Sequence, residues 1–258
     1  MGRWISTLLL SFIMLGACTS TVKNTIKNDA QNLLPSIVLI EARHEKITVN
    51  VKGEGEVHLI RTRGSGTIVQ RSFEKDHYVY HVLSCGHLYM PMPGYKITVT
   101  LVMFNEEGWN EAQKIKADSF WSYENKGYDT SLVKFKSKQF FPIVPLAKKV
   151  PRNLIGRRAM IMGCPFGNVP MIAYGHFGVN CPVSELGENY VEMTMFVAPG
   201  NSGSGAYLFN EEKKRWELMG IITHGYGGAR FAMAAIALRL DAIRTLLKRY
   251  GLSYAIGY

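Results

Sequence analysis

The sequence predicts an all-β protein with one C-terminal helix, and three observations support this fold class. From Leu34 onward, short runs of β-branched and aromatic residues alternate with turn residues. The chain contains 25 glycines but only 10 prolines, which suits many strands joined by turns. Parallel sheets need helical crossovers, and the strand-like runs follow one another without them. We therefore expect antiparallel barrels or a sandwich.

The predicted elements follow in order along the chain. The predicted strands are Ser36–Glu41, Ile47–Val51, Gly66–Gln70, Tyr78–Ser84, Lys96–Phe104, Ser131–Phe135, Ala159–Met162, Ile172–Val179, Tyr190–Phe196, Gly205–Phe209 and Leu218–Thr223. A helix is predicted over 242–250, with Asp241 placed to cap it. The segment 145–152 divides the body into an N-terminal half, 34–148, and a C-terminal half, 149–258.

The N-terminus indicates export and a lipid anchor. Arg3 is followed by an apolar run that is short for a membrane-spanning helix, and this pattern is typical of a secretory signal over residues 1–17. The run ends Leu15-Gly16-Ala17-Cys18, which resembles a bacterial lipobox. We expect Cys18 to be lipidated and residues 18–33 to form a flexible tether. This predicts a membrane-anchored lipoprotein of a bacterial cell envelope, with an ordinary signal peptide as the alternative.

The distribution of charge along the chain argues against a nucleic-acid partner. The net charge is +10, but the basic residues are scattered, and Glu211-Glu212 offsets the run Lys213-Lys214-Arg215. We therefore expect no nucleic-acid partner, and favour an anionic membrane surface or simple solubility.

If Cys18 carries lipid, then Cys85, Cys164 and Cys181 remain, and an odd number leaves at least one free thiol. The histidines show no metal-like spacing, so we expect no metal and no cofactor.

The segment Ala198-Pro199-Gly200-Asn201-Ser202-Gly203-Ser204-Gly205 is typical of an activated serine. A serine hydroxyl becomes a nucleophile when a base takes its proton and amide donors stabilise the oxyanion. Glycines around Ser202 permit a tight turn in which the Gly200 and Ser202 amides point at one spot. A plain Gly/Ser hairpin turn is the alternative.

The order of the chemical groups separates these alternatives. His87 follows the predicted strand Tyr78–Ser84, and Asp129 begins another predicted strand. The order His87, Asp129, Ser202 is the one that chymotrypsin-like proteases use. An α/β-hydrolase needs an acid and a histidine after its serine and a G-x-S-x-G elbow, whereas position 204 is serine. The sequence thus predicts a Ser-His-Asp triad.

Several motifs beyond the triad resemble the protease domain of the HtrA/Deg family of trypsin-like peptidases. They run in the family's order over roughly 34–250, and they are Gly64-Ser65-Gly66-Thr67-Ile68-Val69, Val82-Leu83-Ser84-Cys85-Gly86-His87, Lys96–Leu101, Asp129–Lys134, Met162-Gly163-Cys164-Pro165-Phe166-Gly167 and Phe231–Ile236. This resemblance implies two packed six-stranded antiparallel β-barrels of the chymotrypsin type and a serine endopeptidase acting on proteins or peptides. The chain ends at Tyr258, so we expect no PDZ domain.

Two departures from the HtrA pattern affect the site. Where the HtrA family usually has GNSGG, this chain has Gly200-Asn201-Ser202-Gly203-Ser204. This sequence is closer to that of the glutamyl endopeptidases. Cys85 stands where alanine or asparagine is common, and we interpret it as a small buried cysteine rather than a second nucleophile.

The resemblance also places the substrate pocket at Phe196, Thr223, His224 and Gly225. Phe196 argues against cleavage after Lys or Arg, whereas His224 resembles a histidine that binds acidic side chains in glutamyl endopeptidases. We favour small apolar residues over Glu. Two other functions stay open: a catalytically inactive binding or adhesion lipoprotein on the same scaffold, and an esterase that differs only in its pocket.

Overall fold

The computed structural model describes residues 30–49, 55–105, 111–125, 127–178, 186–227 and 232–256. The predicted signal peptide, Cys18 and Cys181 lie outside the described residues, as do parts of the predicted strands Ile47–Val51 and Ile172–Val179. Among the described residues, no helix is long and apolar enough to cross a membrane. Ala30 and Leu33, which the sequence assigned to the tether, are buried in the core.

The N-terminal half forms an antiparallel sheet of seven described strands in the order β5-β4-β1-β2-β3-β7-β6. Its strands are β1 (Ile37–Val49), β2 (Gly55–Glu74), β3 (His77–Ser84), β4 (Lys96–Phe104), β5 (Glu111–Lys116), β6 (Ser119–Asn125) and β7 (Tyr128–Ser137). Residues 37–41 and 47–49 of the two predicted strands Ser36–Glu41 and Ile47–Val51 belong to one long strand, β1, which pairs with β2 along its whole length.

The C-terminal half forms an antiparallel sheet of six described strands in the order β10-β13-β12-β11-β8-β9. Its strands are β8 (Arg158–Gly163), β9 (Met171–His176), β10 (Tyr190–Met193), β11 (Gly205–Asn210), β12 (Arg215–Gly227) and β13 (Ala232–Arg239). The predicted all-β class with a C-terminal helix is therefore confirmed. The prediction of six strands in each barrel needs a correction, because β5 and β6 bring the N-terminal sheet to seven.

Burial of apolar side chains produces two cores. Alternate residues of a strand point to opposite faces, so Val38, Ile40 and Ala42 of β1 enter the core of the N-terminal sheet. Leu39, between them, faces the larger core that the C-terminal sheet dominates. The same strand thus contributes to both cores, which holds the two halves together.

The C-terminal helix, α1, spans Leu240–Arg249 and buries Leu240, Ala242, Ile243, Leu246 and Leu247. The prediction that Asp241 caps this helix is wrong by two positions, because Arg239 is the N-cap residue. Asp241 lies in the first turn, where its carboxylate is 2.9 Å from the Arg239 guanidinium. A carboxylate there is also favourable for the helix dipole.

Candidate active site

The pairing of β3 with β7 brings His87 and Asp129 together. Ser84 at the end of β3 is opposite Ser131 of β7, so the residues just beyond this pair lie at one edge of the sheet. Asp129 precedes Ser131 by two positions, and the chain after Ser84 turns into a short 3-10 helix, His87–Tyr89. Two segments that are distant in sequence therefore present an acid and a base to each other.

The Asp129 carboxylate is buried and fully engaged. Its Oδ2 atom is 2.7 Å from His87 Nδ1. Its Oδ1 atom accepts hydrogen bonds from the backbone amides of Gly86 at 2.6 Å and His87 at 2.9 Å. Only 2% of Asp129 is exposed, so these donors replace its lost hydration. The arrangement fixes the imidazole with Nδ1–H toward Asp129 and leaves Nε2 for other chemistry.

The environment of His87 favours its protonated form. Burial alone would lower the pKa of the imidazole, but the hydrogen bond to Asp129 and the neighbouring Cys85 sulfur raise the pKa above its ordinary value. The Asp129 carboxylate thus stabilises a positive charge on His87, which is what a base needs after it has taken a proton.

In this structure, Nε2 of His87 faces a sulfur atom. Cys85 Sγ is 3.6 Å from Nε2, and within the described residues no hydrogen bond joins His87 to Ser202. Cys85 is completely buried, as the sequence predicted, and it is a free thiol together with Cys164. Burial raises the pKa of the Cys85 thiol.

Ser202 lies in a tight turn between β10 and β11. The Asn201 amide donates to Ala198 O at 3.0 Å, the Ser204 amide donates to Asn201 O at 2.9 Å, and the Gly203 amide donates to Ile222 O at 2.7 Å. Gly200 has φ +95° and Gly203 has φ +85°, a region that side-chain-bearing residues rarely adopt. The turn leaves Ser202 partly exposed at the surface of the cleft.

The amides of Gly200 and Ser202 are available as donors. Neither donates a hydrogen bond to any group in the part of the chain that the structure describes. The Phe166 amide binds Pro199 O, and since C=O and N–H of a trans peptide point in opposite directions, this directs the Gly200 N–H away from Phe166. The predicted oxyanion donors are therefore present and unengaged.

Ser65 connects the N-terminal sheet to this turn, and the sequence analysis assigned it no role. Its hydroxyl donates to Gly200 O at 2.7 Å and accepts from the Cys164 amide at 2.7 Å. Its amide donates to Ser202 O at 2.7 Å. The only sequence signal was its place in the Gly64-Ser65-Gly66 motif.

A cleft of about 180 Å³ lies beside Ser202, lined by Val197, Ala198, Pro199, Asn201, Ser202, Ile222, Thr223, His224, Gly225 and Ala232. Three predicted pocket residues, Thr223, His224 and Gly225, thus line it, but Phe196 does not, because its side chain is 67% exposed. Phe196 precedes the inward-facing Val197, which is buried. Thr223 Oγ1 and His224 Nδ1 are 2.8 Å apart.

Comparison with known proteins identifies the family and the fold of this chain. A family model described as a trypsin-like peptidase domain matches residues 64–221, which is more than half of the chain. No curated protein sequence matches the chain.

Solved structures of HtrA-type proteases have a similar fold. The AlgW variant with a decapeptide has a TM-score of 0.62 at 13% identity, over 87% of this chain and 67% of that one. AlgW with a tripeptide gives 0.59 at 14% identity, over 88% and 64%. A serine endoprotease from Yersinia pestis gives 0.56 at 16% identity, over 88% and 66%. The chain thus spans about two thirds of the length of these structures.

Proposed function

The chain belongs to the family of trypsin-like peptidase domains and is a serine protease, and on that premise we propose that it hydrolyses peptide bonds through an acyl-enzyme on Ser202. His87 is the general base, Asp129 orients it, and the Gly200 and Ser202 amides form the oxyanion hole. The observation that carries this assignment is the His87–Asp129 pair. Two backbone amides hold the Asp129 carboxylate, which contacts Nδ1 of His87, so that Nε2 points away from Asp129.

The catalytic cycle uses each group in turn. His87 Nε2 takes the Ser202 hydroxyl proton as Oγ attacks the carbonyl carbon of the peptide, and it later gives the proton to the leaving amine. Water then cleaves the acyl-enzyme by the same route. Each oxyanion donor is worth about 3 kcal/mol of transition-state stabilisation. Catalytic hydrogen bonds are often long without substrate, and we infer that Ser202 replaces Cys85 as the neighbour of Nε2 when peptide binds.

The test is active-site labelling of the purified protein with a fluorophosphonate probe. We expect the wild type to be labelled and Ser202→Ala to remain unlabelled. In peptide hydrolysis, Ser202→Ala and His87→Ala should lower kcat by several orders of magnitude. Wild-type turnover in either variant would contradict the assignment. An unlabelled, inactive wild type would favour the alternative of a binding or adhesion protein.

We further propose that the cleft beside Ser202 binds the side chain that precedes the cleaved bond. Small side chains suit its modest volume and its lining by Val197, Ile222 and Ala232. Thr223 and His224, two of the polar residues that line it, offer a site for Glu. Within its lining no carboxylate is present to balance Lys or Arg. The HtrA-type AlgW structures contain a decapeptide and a tripeptide, which supports peptides as the substrate class.

We also propose that the protein is exported and anchored to a bacterial cell-envelope membrane through lipid on Cys18. This rests on the sequence Leu15-Gly16-Ala17-Cys18 after an apolar run. A single acyl chain binds a membrane weakly, so stable anchoring uses more than one chain or an added basic surface, and the net charge of +10 suits an anionic surface.

A further inference from the structure

Three potential metal ligands meet at the base of the proposed triad. One ligand atom from each of Cys85, His87 and Asp129 lies within 4.8 Å of the others. We propose that Cys85 Sγ and His87 Nε2 bind a thiophilic divalent cation such as Zn²⁺, and that its binding reversibly blocks Ser202 chemistry. The binding site stands on the geometry alone, whereas the blocking effect rests on the proposed function.

The separation of the two ligand atoms matches zinc geometry. Zinc lies about 2.3 Å from a thiolate sulfur and about 2.0–2.1 Å from an imidazole nitrogen, which in a tetrahedral site separates the two ligands by roughly 3.5 Å. Cys85 Sγ and His87 Nε2 are 3.6 Å apart. The two atoms therefore already have the separation that two ligands of one zinc ion require.

Asp129 orients the His87 imidazole through the Nδ1 side of the ring. Histidines that bind zinc usually donate their other ring N–H to a carboxylate or carbonyl, which fixes the ring and makes it a stronger ligand. Asp129 Oδ2 already accepts from His87 Nδ1 at 2.7 Å, and the Gly86 and His87 amides hold the same carboxylate. The ring is thus oriented with Nε2 toward Cys85 before any ion arrives.

The charges balance when the ion binds. The Cys85 thiol loses its proton to solvent as the sulfur–metal bond forms, a His87 ring protonated on Nε2 loses that proton to solvent as the nitrogen–metal bond forms, and no electron is transferred. The thiolate and the Asp129 carboxylate then carry two negative charges against the two positive charges of the ion, so a largely buried site becomes neutral. The His87 side chain, 26% exposed, gives the ion an approach from solvent, and water fills the remaining positions.

Metal binding and catalysis use the same nitrogen. A coordinated Nε2 has no lone pair with which to take the Ser202 proton, so the base is lost while the ion is bound. Cys164, the other described free cysteine, is a matched control because its Sγ belongs to no such cluster among the described residues.

The test combines direct binding with inhibition, in the full chain. Binding is measured with Co²⁺ on the inactive Ser202→Ala protein, by the ultraviolet absorption of the thiolate–cobalt bond and by titration calorimetry. We expect binding with Ser202→Ala and with Ser202→Ala/Cys164→Ala, and at least about tenfold weaker binding with Ser202→Ala/Cys85→Ser. Equal binding in all three proteins, or none in the first, would overturn the site.

Inhibition is measured as the fraction of each protein's own metal-free activity. Zn²⁺ should inhibit the wild type and Cys164→Ala alike, a chelator should restore activity, and Cys85→Ser should need at least about tenfold more Zn²⁺. Equal sensitivity of Cys85→Ser would refute the blocking effect. Absence of activity before metal is added would count against the proposed function instead, because the Co²⁺ measurement does not depend on turnover.

Discussion

At the level of single residues, Ser65 connects several parts of the site through hydrogen bonds. Its hydroxyl accepts from the Cys164 amide and donates to Gly200 O, and its backbone amide donates to Ser202 O. The Ser84 hydroxyl in turn donates to Ser65 O at 2.6 Å. Because Ser65 is completely buried, none of these groups can exchange its partner for bulk water. We infer that Ser65 positions the turn over 198–204, which carries the proposed oxyanion donors and is called the oxyanion turn below.

We expect Ser65→Ala to lower kcat roughly ten- to a hundredfold with little change in KM, because the Gly200 peptide loses its anchor. The buried Cys164 amide and Gly200 carbonyl also lose a partner, which costs about 1–3 kcal/mol of unfolding free energy. Ser36→Ala is the matched control, since the Ser36 hydroxyl is buried and has no hydrogen-bond partner in the described residues.

A purely structural role for Ser65 would leave transition-state affinity unchanged. Binding of a peptide aldehyde, which forms the tetrahedral adduct, should therefore weaken in Ser65→Ala in parallel with kcat. If aldehyde affinity stays at the wild-type value while only the melting temperature falls, Ser65 does not position the oxyanion turn.

Specificity is also decided by single residues. Because Val197, Ile222 and Ala232 line the cleft and no carboxylate does, we predict preferential cleavage after small apolar residues and poor cleavage after Lys or Arg. If Glu is preferred instead, the preference should need His224. Burial lowers the pKa of the His224 imidazole, so a cation-dependent Glu preference would be present only at low pH and lost as pH rises through that pKa.

Peptide-library profiles of the wild type and His224→Ala, each at two pH values, measure this directly. A profile that favours small residues and is the same in both proteins supports the apolar cleft. Strong cleavage after Lys or Arg would contradict our interpretation of the cleft, in which Thr223 and His224 are polar groups of the wall and no carboxylate balances a basic side chain.

At the level of elements, the turn that carries Ser202 depends on a backbone that only glycine adopts easily. A side chain at Gly200 would place its Cβ 2.6 Å from Cys164 O and 2.7 Å from Phe166 N, besides the strain of φ +95°. The motif Cys164-Pro165-Phe166-Gly167 therefore packs directly against the oxyanion turn. The sequence placed these two segments in one half but could not place them in contact.

We expect Gly200→Ala to move the Gly200 amide and lower kcat by about 10²–10³, the effect of losing one oxyanion donor. Gly156→Ala is the control, because Gly156 has φ +73° but a Cβ there meets nothing within 4 Å. Steady-state kinetics and thermal unfolding of both variants separate the two effects. Similar kcat losses in both would mean that backbone strain, and not the oxyanion turn, limits activity.

Two of the strands that the sequence prediction missed share a physical cause. β5 and β6 are the two edge strands of the N-terminal sheet, and no residue of β6 is buried. An edge strand that buries little has no need of alternating apolar residues, which is the signal that identifies strands. Lys96–Phe104, by contrast, is an interior strand and matches β4 at both ends.

At the level of the whole molecule, the proposed site forms where the two halves meet. His87 and Asp129 come from the N-terminal half and Ser202 from the C-terminal half. Ser65 of the N-terminal sheet connects the halves, because its hydroxyl donates to Gly200 O. The order of the motifs predicts the triad residues, and each motif can be recognised locally in the sequence. The contact of Cys85 with His87 and the displacement of Phe196 from the cleft depend on packing between elements, which a sequence pattern does not specify.

The proposed lipid anchor on Cys18 would limit how far the folded body can lie from a membrane. Ala30 is the first described residue that packs in the core, so it follows Cys18 by 12 positions along the chain. Fully extended, a chain of this length reaches at most about 40 Å, which keeps the cleft near the surface to which Cys18 is attached. In a bacterial host, we expect the protein to fractionate with membranes and to incorporate labelled palmitate.

Cys18→Ser should abolish palmitate incorporation and move the protein out of the membrane fraction, because the acyl chains attach through this residue. Cys164→Ala should keep both properties, since that cysteine is buried in the folded body. Peptidase activity of the detergent-free Cys18→Ser protein should remain, as Cys18 precedes the packed residues. Equal palmitate labelling of wild type and Cys18→Ser would show that the lipid is attached elsewhere, and labelling of neither would leave an ordinary signal peptide as the correct interpretation of residues 1–17.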